Sequence, residues 1–261
     1  MIRALYTAAS GMNAQQTNID NTAHNLANVN TTGFKKDRAV FEDLLYQNVK
    51  QVGSATSQDT VAPTGLNLGT GVRVVATEKN YSQGGLNNTG NSLDVAINGR
   101  GFFQVLLPDG SLAYTRDGSF KMSPEGELVN NTGYKIQPGI SIPQGAQSIT
   151  IGADGTVEVQ LAGQSQPTQI GTLQLTDFVN PAGLEPRGEN LLAESAASGP
   201  AQTGNPGLNG LGRLQQGALE GSNVNVVEEL VAMIETQRAY EMNSKAIAST
   251  DQMLQYVSNN L

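Results

Sequence analysis

Few side chains in this sequence have the types and spacing needed for chemistry. The chain contains one histidine, His24, and no cysteine, which excludes thiolate chemistry and cysteine-ligated metal. It also lacks a Gly-x-Ser-x-Gly motif, so no hydrolase triad is indicated. Glycan cleavage needs two carboxylates that face each other, and no spacing among the 23 acidic residues singles out such a pair. A lone histidine on a helix flank is interpreted as a surface or packing residue.

The acidic residues that precede glycines predict turns. Asp109-Gly110, Asp117-Gly118 and Asp154-Gly155 lack the alternating Asp or Asn ligands that close on a Glu in a calcium loop, whereas Asp-Gly is common turn chemistry. Gly99-Arg100-Gly101 is followed by a strand pattern, not by a helix start that would bind phosphate. We therefore expect no metal, no cofactor and no enzymatic activity.

The composition also limits the partners. Charged residues make up 15% of the chain, the formal net charge is −8, and lysine and arginine form no long run. Nucleic acids and anionic membrane surfaces attract clustered basic residues, so neither is an expected partner. No stretch approaches the roughly 18 apolar residues of a membrane span, and the N-terminus has no basic segment followed by an apolar core. We expect neither membrane insertion nor a cleavable secretion signal.

The last forty residues have the pattern of one long helix. No Gly or Pro follows Ser222, and either Ser222 or Asn223 is the expected N-cap of a helix of about 33 residues. A second series with the same spacing of seven starts at Leu230 and continues with polar residues, so several neighbouring helices are expected to cover this one. Apolar residues recur every seven positions: Val226, Met233, Tyr240, Ile247, Leu254 and Leu261.

Residues 2–29 carry a second heptad pattern. The residues outside the repeat are mostly polar and have modest helix propensity, so this helix alone would be marginal in water. Two terminal helices that each lack a complete core most simply pack on each other. The repeat alternates steps of three and four residues: Ile2, Leu5, Ala9, Met12, Gln16, Ile19, Ala23 and Leu26.

The middle of the chain predicts β-structure. Gly101–Leu107 reads as a strong strand, and turn residues recur at hairpin spacing. The predicted fold is therefore α+β, with N- and C-terminal helices paired in a coiled-coil-like inner domain and a mainly antiparallel β outer domain. The predicted parts are residues 1–46 with 222–261, an extended polar stretch at 47–71, and a β-rich domain at 72–221.

Three stretches of the sequence resemble a known family. The run Ala23–Lys35 is similar to the N-terminal signature of the bacterial flagellar rod and hook axial proteins, although His24 stands where asparagine is usual. The C-terminal helix and the region around Gly101 resemble other parts of the same family. The matching motif residues are Asn25, Leu26, Ala27, Asn28, Asn30, Thr31, Gly33 and Phe34, followed by Gln237, Arg238, Ala239 and Tyr240.

Within that family, Tyr46-Gln47 and Pro63-Thr64-Gly65-Leu66 resemble the two ends of an extra stretch typical of distal-rod members. The resemblance implies a non-catalytic subunit of a rigid hollow drive shaft that carries torque from motor to hook. The implied location is the periplasm-spanning rod, reached by flagellar type III export. The implied partners are further copies of the chain, proximal rod and hook subunits, the peptidoglycan-level and outer-membrane ring proteins, and the export apparatus.

The alternatives are another axial subunit, from the proximal rod or the hook, and a secreted β-rich protein that binds or cleaves glycans. A heptad pattern at both termini argues against the glycan-binding class. The residues expected to join helices or subunits are Leu5, Met12, Ile19, Leu26, Val226, Leu230, Met233, Tyr240, Ile247 and Leu254.

Overall fold

The computed structural model of the protein describes residues 2–53, 63–164 and 166–259. A long helix lies at each end of the chain, α1 (Ile2–Ala27) and α2 (Val226–Asn259), and a short 3₁₀ helix spans Pro181–Gly183. The long helices and the mainly antiparallel strands occupy separate parts of the chain, which confirms the predicted α+β class. Along the sequence, the strands of the described residues come after α1 and before α2. They are β1 (Asp37–Asp43), β2 (Gln47–Lys50), β3 (Leu66–Leu68), β4 (Val72–Lys79), β5 (Leu86–Asn88), β6 (Val95–Asn98), β7 (Phe103–Leu106), β8 (Leu112–Thr115), β9 (Lys121–Met122), β10 (Leu128–Val129), β11 (Lys135–Gln137), β12 (Ala146–Ile151), β13 (Thr156–Leu161), β14 (Thr168–Thr172), β15 (Leu175–Asp177), β16 (Glu185–Gly188), β17 (Leu191–Ala193), β18 (Gln202–Gly204), β19 (Arg213–Gln216) and β20 (Ala218–Glu220).

The chain divides into two compact units. Unit 1 consists of the described parts of Met1–Ala27, Asp37–Glu78 and Asn225–Leu261. Unit 2 consists of Asn28–Lys36 and Lys79–Val224. The sequence predicted domain boundaries after residues 46, 71 and 221. In the structure, β1 to β3 and most of β4 belong to the same unit as the two helices.

Unit 1 contains the two helices and two small β-ribbons. Helix α2 has 34 residues, close to the expected length. Its predicted cap at Ser222 or Asn223 is wrong, because the helix starts later. Asn225 caps it instead: the Oδ1 atom of Asn225 accepts a hydrogen bond from Val227 N at 3.1 Å, and its carbonyl accepts one from Glu229 N at 3.0 Å.

The stretch 47–71 contributes strands to unit 1. Strand β2 pairs antiparallel with β3, with Gln47 opposite Leu68, and β4 pairs with β1. Residues 54–62, the middle of the stretch, lie outside the described residues. A two-stranded ribbon covers neither of its own faces, so Val49, Leu66 and Leu68 stay exposed here.

Unit 2 is built from antiparallel strand pairs around one main core. Its largest sheet has seven strands in the order β16-β17-β8-β7-β11-β10-β9, and a second has the order β12-β13-β14. Three further two-stranded sheets are β15-β18, β19-β6 and β20-β5. Alternate residues of β7 and β13 enter the core, whereas β6 is buried on both sides. The main cluster includes Val95, Ile97, Phe103, Val105, Ala113, Phe120, Leu128, Ile136, Val157, Val159 and Leu173.

The acidic residues before glycines form turns. Asp109 Oδ1 accepts hydrogen bonds from Ser111 N at 2.8 Å and Ser111 Oγ at 2.6 Å, and these bonds hold the pKa of the Asp109 carboxyl below its usual range. Asp154 binds Thr156 in the same way between β12 and β13, and Asp117 binds Ser119. The carboxylates are thus used to shape the backbone.

Candidate functional site: the paired terminal helices

Helices α1 and α2 lie antiparallel in unit 1, joined along a line of small and polar residues. Along this line the α1 residue number rises by seven while its α2 partner falls by seven. A heptad contact between helices is therefore present, as the coiled-coil-like prediction required. The pairs are Gly11 with Asn243, Asn18 with Thr236, and Asn25 with Glu229.

The first two of these pairs, Gly11 with Asn243 and Asn18 with Thr236, are close contacts. A methyl group added at Gly11 would lie 3.0 Å from the Nδ2 atom of Asn243, so glycine allows the helices to approach here. Asn18 Nδ2 donates a hydrogen bond of 3.1 Å to Thr236 Oγ1, and Thr236 is buried. A polar group buried between helices needs its partner in place, so each pair helps to fix the register.

Asn25 joins three elements of unit 1. Its Nδ2 atom donates to the carbonyl oxygen of Asp37 at 2.8 Å, and its Oδ1 atom accepts from Asp37 N at 2.8 Å. The same Nδ2 atom lies 3.3 Å from Glu229 Oε2. Asn25 and Glu229 are both buried. One side chain therefore connects the end of α1, the start of β1 and the first turns of α2.

The predicted joining residues flank this line. Met12, Ile19 and Leu26 stand one position after Gly11, Asn18 and Asn25, and the series that starts at Leu230 stands one position after the series that starts at Glu229. The half-buried members are Leu5, Met12, Ile19, Leu26, Met233, Ile247 and Leu254, and the exposed ones are Val226, Leu230 and Tyr240. Leu261, the last residue of the predicted repeat, lies outside the described residues.

The other side of α2 is exposed, and its first turns are apolar; we call the exposed apolar residues on this side the outer face. Val227 is 69% exposed and Ile234 is 50% exposed. Val227 lies two positions before Glu229 and Ile234 two before Thr236, and such positions point to nearly opposite sides of a helix. The outer face consists of Val227, Val231, Ile234, Met242 and Tyr256.

Sequence reasoning missed this polar line because it assumed that the most apolar heptad positions join the helices. Glu229, Thr236, Asn243 and Thr250 are spaced by seven as well, but every side of a helix carries such a series, so the spacing alone did not single them out. Three of these four, Glu229, Thr236 and Thr250, are the buried residues of α2.

The N-terminal motif continues into unit 2. Gly33 has φ +68°, and its N–H donates to the carbonyl oxygen of Glu220 at 2.8 Å. A methyl group at position 33 would lie 2.8 Å from backbone atoms of Arg116 and Asp117, so only glycine suits both the conformation and the space. Phe34 is buried, with Lys79 Nζ 5.4 Å above its ring.

A buried group of three charges lies beside this turn in unit 2; we call it the charge cluster. Glu220 is 2% exposed, and its Oε1 atom accepts from Lys35 Nζ at 2.6 Å. Its Oε2 atom lies 3.3 Å from Arg116 Nη1. Burial lowers the pKa of Lys35 and of Arg116, and the Glu220 charge opposes both shifts. Sequence reasoning did not identify Glu220.

Asn223, in the C-terminal motif, ties neighbouring segments of unit 2 together. Its Oδ1 atom accepts from Lys36 N at 2.8 Å, and its Nδ2 atom donates to the carbonyl oxygen of Asn80 at 2.8 Å. Asn80 N in turn donates to the carbonyl oxygen of Lys36 at 2.9 Å. These bonds make Asn223 a positioning residue of the backbone, not a helix cap.

Three family profiles match the chain in sequence order. The flagella basal body rod protein profile matches residues 5–35, the D1 domain of the flagellar hook proteins FlgE/F/G matches 96–159, and the C-terminal profile of the flagellar basal body rod FlgEFG proteins matches 215–261. They cover the same three regions that carried the resemblance. No helix among the described residues is long and apolar enough to cross a membrane.

Whole-chain relatives agree with the profiles. The chain is 58% identical to the flagellar basal-body rod protein FlgG of Buchnera aphidicola subsp. Schizaphis graminum over 258 residues, 99% of each chain. It is 51% identical to FlgG of Borreliella burgdorferi over 263 residues, 100% of this chain and 99% of the relative. It is 39% identical to FlgG of Bacillus subtilis over 264 residues, 99% of each chain. The predicted role as a structural subunit of the distal rod in the flagellar basal body is confirmed. The chain belongs to the family of flagellar basal-body rod proteins.

Proposed function

We propose that the outer face of α2 is the surface through which subunits join in the rod. The observation that carries the proposal is the inverted arrangement of this helix, which buries Glu229, Thr236 and Thr250 and exposes Val227, Val231 and Ile234. A helix that packs only within its own chain normally buries its apolar side. Exposed contiguous apolar surface on a protein that assembles marks an interaction site.

The geometry of assembly follows from one repeated contact. A surface that meets a different surface on the next copy, with a rotation that does not close a ring, generates a helix of subunits. We assign the terminal helices to the inner tube, residues 72–221 to the outer layer, and residues 47–71 to a brace between neighbouring subunits. The apolar residues predicted at the joins, among them Leu26 and Ile247, would complete the packing there.

Absence of cysteine from the sequence allows a direct test. A Val231→Cys variant in cells that build flagella should give cross-linked pairs of subunits when isolated rods are treated with a short bifunctional thiol reagent. Ser244→Cys, at an exposed polar position of the same helix, is the matched control and should cross-link less. Equal cross-linking of both variants, or none at Val231→Cys in intact rods, would refute the assignment of the face.

The family resemblance supplies the other partners in this proposal. Proximal rod and hook subunits would meet the two ends of the polymer, and the peptidoglycan-level and outer-membrane rings would surround it. The export apparatus would deliver the chain. The role is mechanical and involves no catalysis.

The polar stretch at 47–71 is proposed to brace neighbouring subunits. Leu45 is 91% exposed, and Val49 and Leu66 on the β2–β3 ribbon are exposed as well. A ribbon of two strands is marginal in water until another surface covers it. Backbone and apolar groups placed between neighbouring subunits would resist their sliding, which makes a tube straight and stiff.

Deletion of Ser54–Thr60 tests the brace. These residues lie outside the described part of the chain, and the deletion leaves β2 and β3 intact. We expect unit 2 to fold normally and rods to assemble with a bent shape or abnormal length, as seen by electron microscopy of basal bodies. Replacing the same residues by an equally long Gly-Ser segment is the control for length. Straight rods of normal length after the deletion would show that the stretch only connects its flanking strands and does not brace the subunits.

A further inference from the structure

We propose that the charge cluster makes folding of unit 2 depend on its last strand, so that the unit folds in one late step. The cluster joins parts of the chain that are far apart: Lys35 lies 185 positions before Glu220, and Arg116 lies 104 positions before it. Both cations are buried, at 4% and 6% exposure. Until residue 220 arrives, the interior of unit 2 would hold two cations without this carboxylate.

The contacts of Glu220 show that the site is built for this side chain. Its Oε1 atom also accepts from Gly84 N at 3.0 Å, and Lys35 Nζ donates a second bond to the carbonyl oxygen of Ser82 at 2.8 Å. Arg116 Nη2 donates to the carbonyl oxygen of Gly99 at 2.8 Å. The cluster therefore fastens early segments of unit 2 to the last one, and a solvated surface ion pair would do none of this.

Backbone pairing gives the same order of events independently. Residues 95, 96 and 97 of β6 have no exposed surface, and the partner of β6 is β19, with Leu214 opposite Ile97. Strand β5 pairs with β20, the strand that ends in Glu220. Buried backbone groups must be paired, so until residues 213–220 dock, unit 2 lacks the ladder hydrogen bonds of β6 and β5 with β19 and β20 as well as the carboxylate of Glu220.

Late docking has a consequence for the subunit. Contacts of large sequence separation are slow to form, because the loop that they close costs entropy before the contact stabilises anything. A chain whose C-terminal segment is held away therefore stays unfolded in unit 2. Extended passage through an export channel would require this state; that use rests on the proposed export route, whereas the folding dependence itself does not.

Folding kinetics of the full chain test the dependence. Glu220→Gln keeps the shape and removes the charge, so we expect the folding equilibrium constant of unit 2 to fall about a hundredfold. Urea-jump experiments that follow the tyrosines of unit 2 measure the folding and unfolding rates. At least half of the change in the logarithm of the equilibrium constant should come from slower folding, so that the φ-value of Glu220 is about 0.5 or more. Glu185→Gln, at an exposed position, is the control and should change neither rate.

Lys35→Gln separates charge balance from general damage. It leaves Glu220 paired with Arg116, so it should cost less than Glu220→Gln. Equal costs for the two variants, or a Glu220→Gln effect confined to faster unfolding, would overturn the proposal. Should Glu220→Gln not fold at all, Glu220→Asp, which keeps the charge, decides: a folded Glu220→Asp supports the dependence on charge, and an unfolded one contradicts it. None of these outcomes depends on whether rods assemble.

Discussion

Ile234→Asp should abolish rod assembly while leaving the subunit folded. Ile234 lies on the outer face of α2 and is half exposed in the single chain, so a carboxylate there stays solvated and costs the isolated subunit little. In the proposed polymer the same carboxylate would be buried without a partner, at a cost of several kcal/mol in every subunit. Because the destabilised contact recurs in every subunit, even a short rod should not form. Electron microscopy of basal bodies should show structures that stop before the distal rod, and cells should not swim.

The matched control is Ser244→Asp, which adds the same charge at an exposed polar position of the same helix. It should assemble and support more swimming than Ile234→Asp. Circular dichroism and thermal unfolding of the purified chains establish that both variants are folded. Normal rods made from folded Ile234→Asp would show that the outer face stays in water, and the assembly proposal would then be wrong.

Asn25→Ala should destabilise the helix pair of unit 1 by about 3 kcal/mol, the cost of leaving buried polar groups unpaired. The substitution removes the partner of both backbone groups of Asp37 and the amide that faces Glu229. Since three elements meet at this side chain, α1, β1 and α2 should loosen together. Amide hydrogen exchange in the full chain measures this directly: protection should fall by about a hundredfold in both helices and remain unchanged in unit 2.

Asn13→Ala changes an exposed asparagine of the same helix and should leave protection as it is. Asn25→Asp sharpens the test, since it keeps an oxygen for Asp37 N but loses the donor and brings a second carboxylate to Glu229. We expect it to be no more stable than Asn25→Ala. A loss of protection confined to α1 would mean that Asn25 does not join the three elements.

Local patterns were sufficient to predict much of this protein. The heptad repeats predicted two terminal helices, and the length of α2 came close to the expected value, because periodic apolar positions and the absence of Gly and Pro are local properties of the chain. Turn chemistry at Asp109 and Asp154 was predicted for the same reason: a carboxylate that binds the N–H two residues later needs no distant partner. The motifs in Ala23–Lys35 and in the C-terminal helix were sufficient to place the chain among the flagellar rod and hook proteins.

The tertiary structure alone decided which face of each helix is used and which charges are buried. Helix periodicity repeats on every side of the helix, so it cannot show that Glu229, Thr236 and Asn243 face α1 while Val227 and Ile234 face outward; that depends on the shape of the opposing helix, where Gly11 allows close approach. Glu220 looked like any other acidic residue, because its role arises only when segments 185 and 104 positions away bring Lys35 and Arg116 to it. Burial of a charge is a property of the whole fold, since desolvation depends on every atom packed around the group.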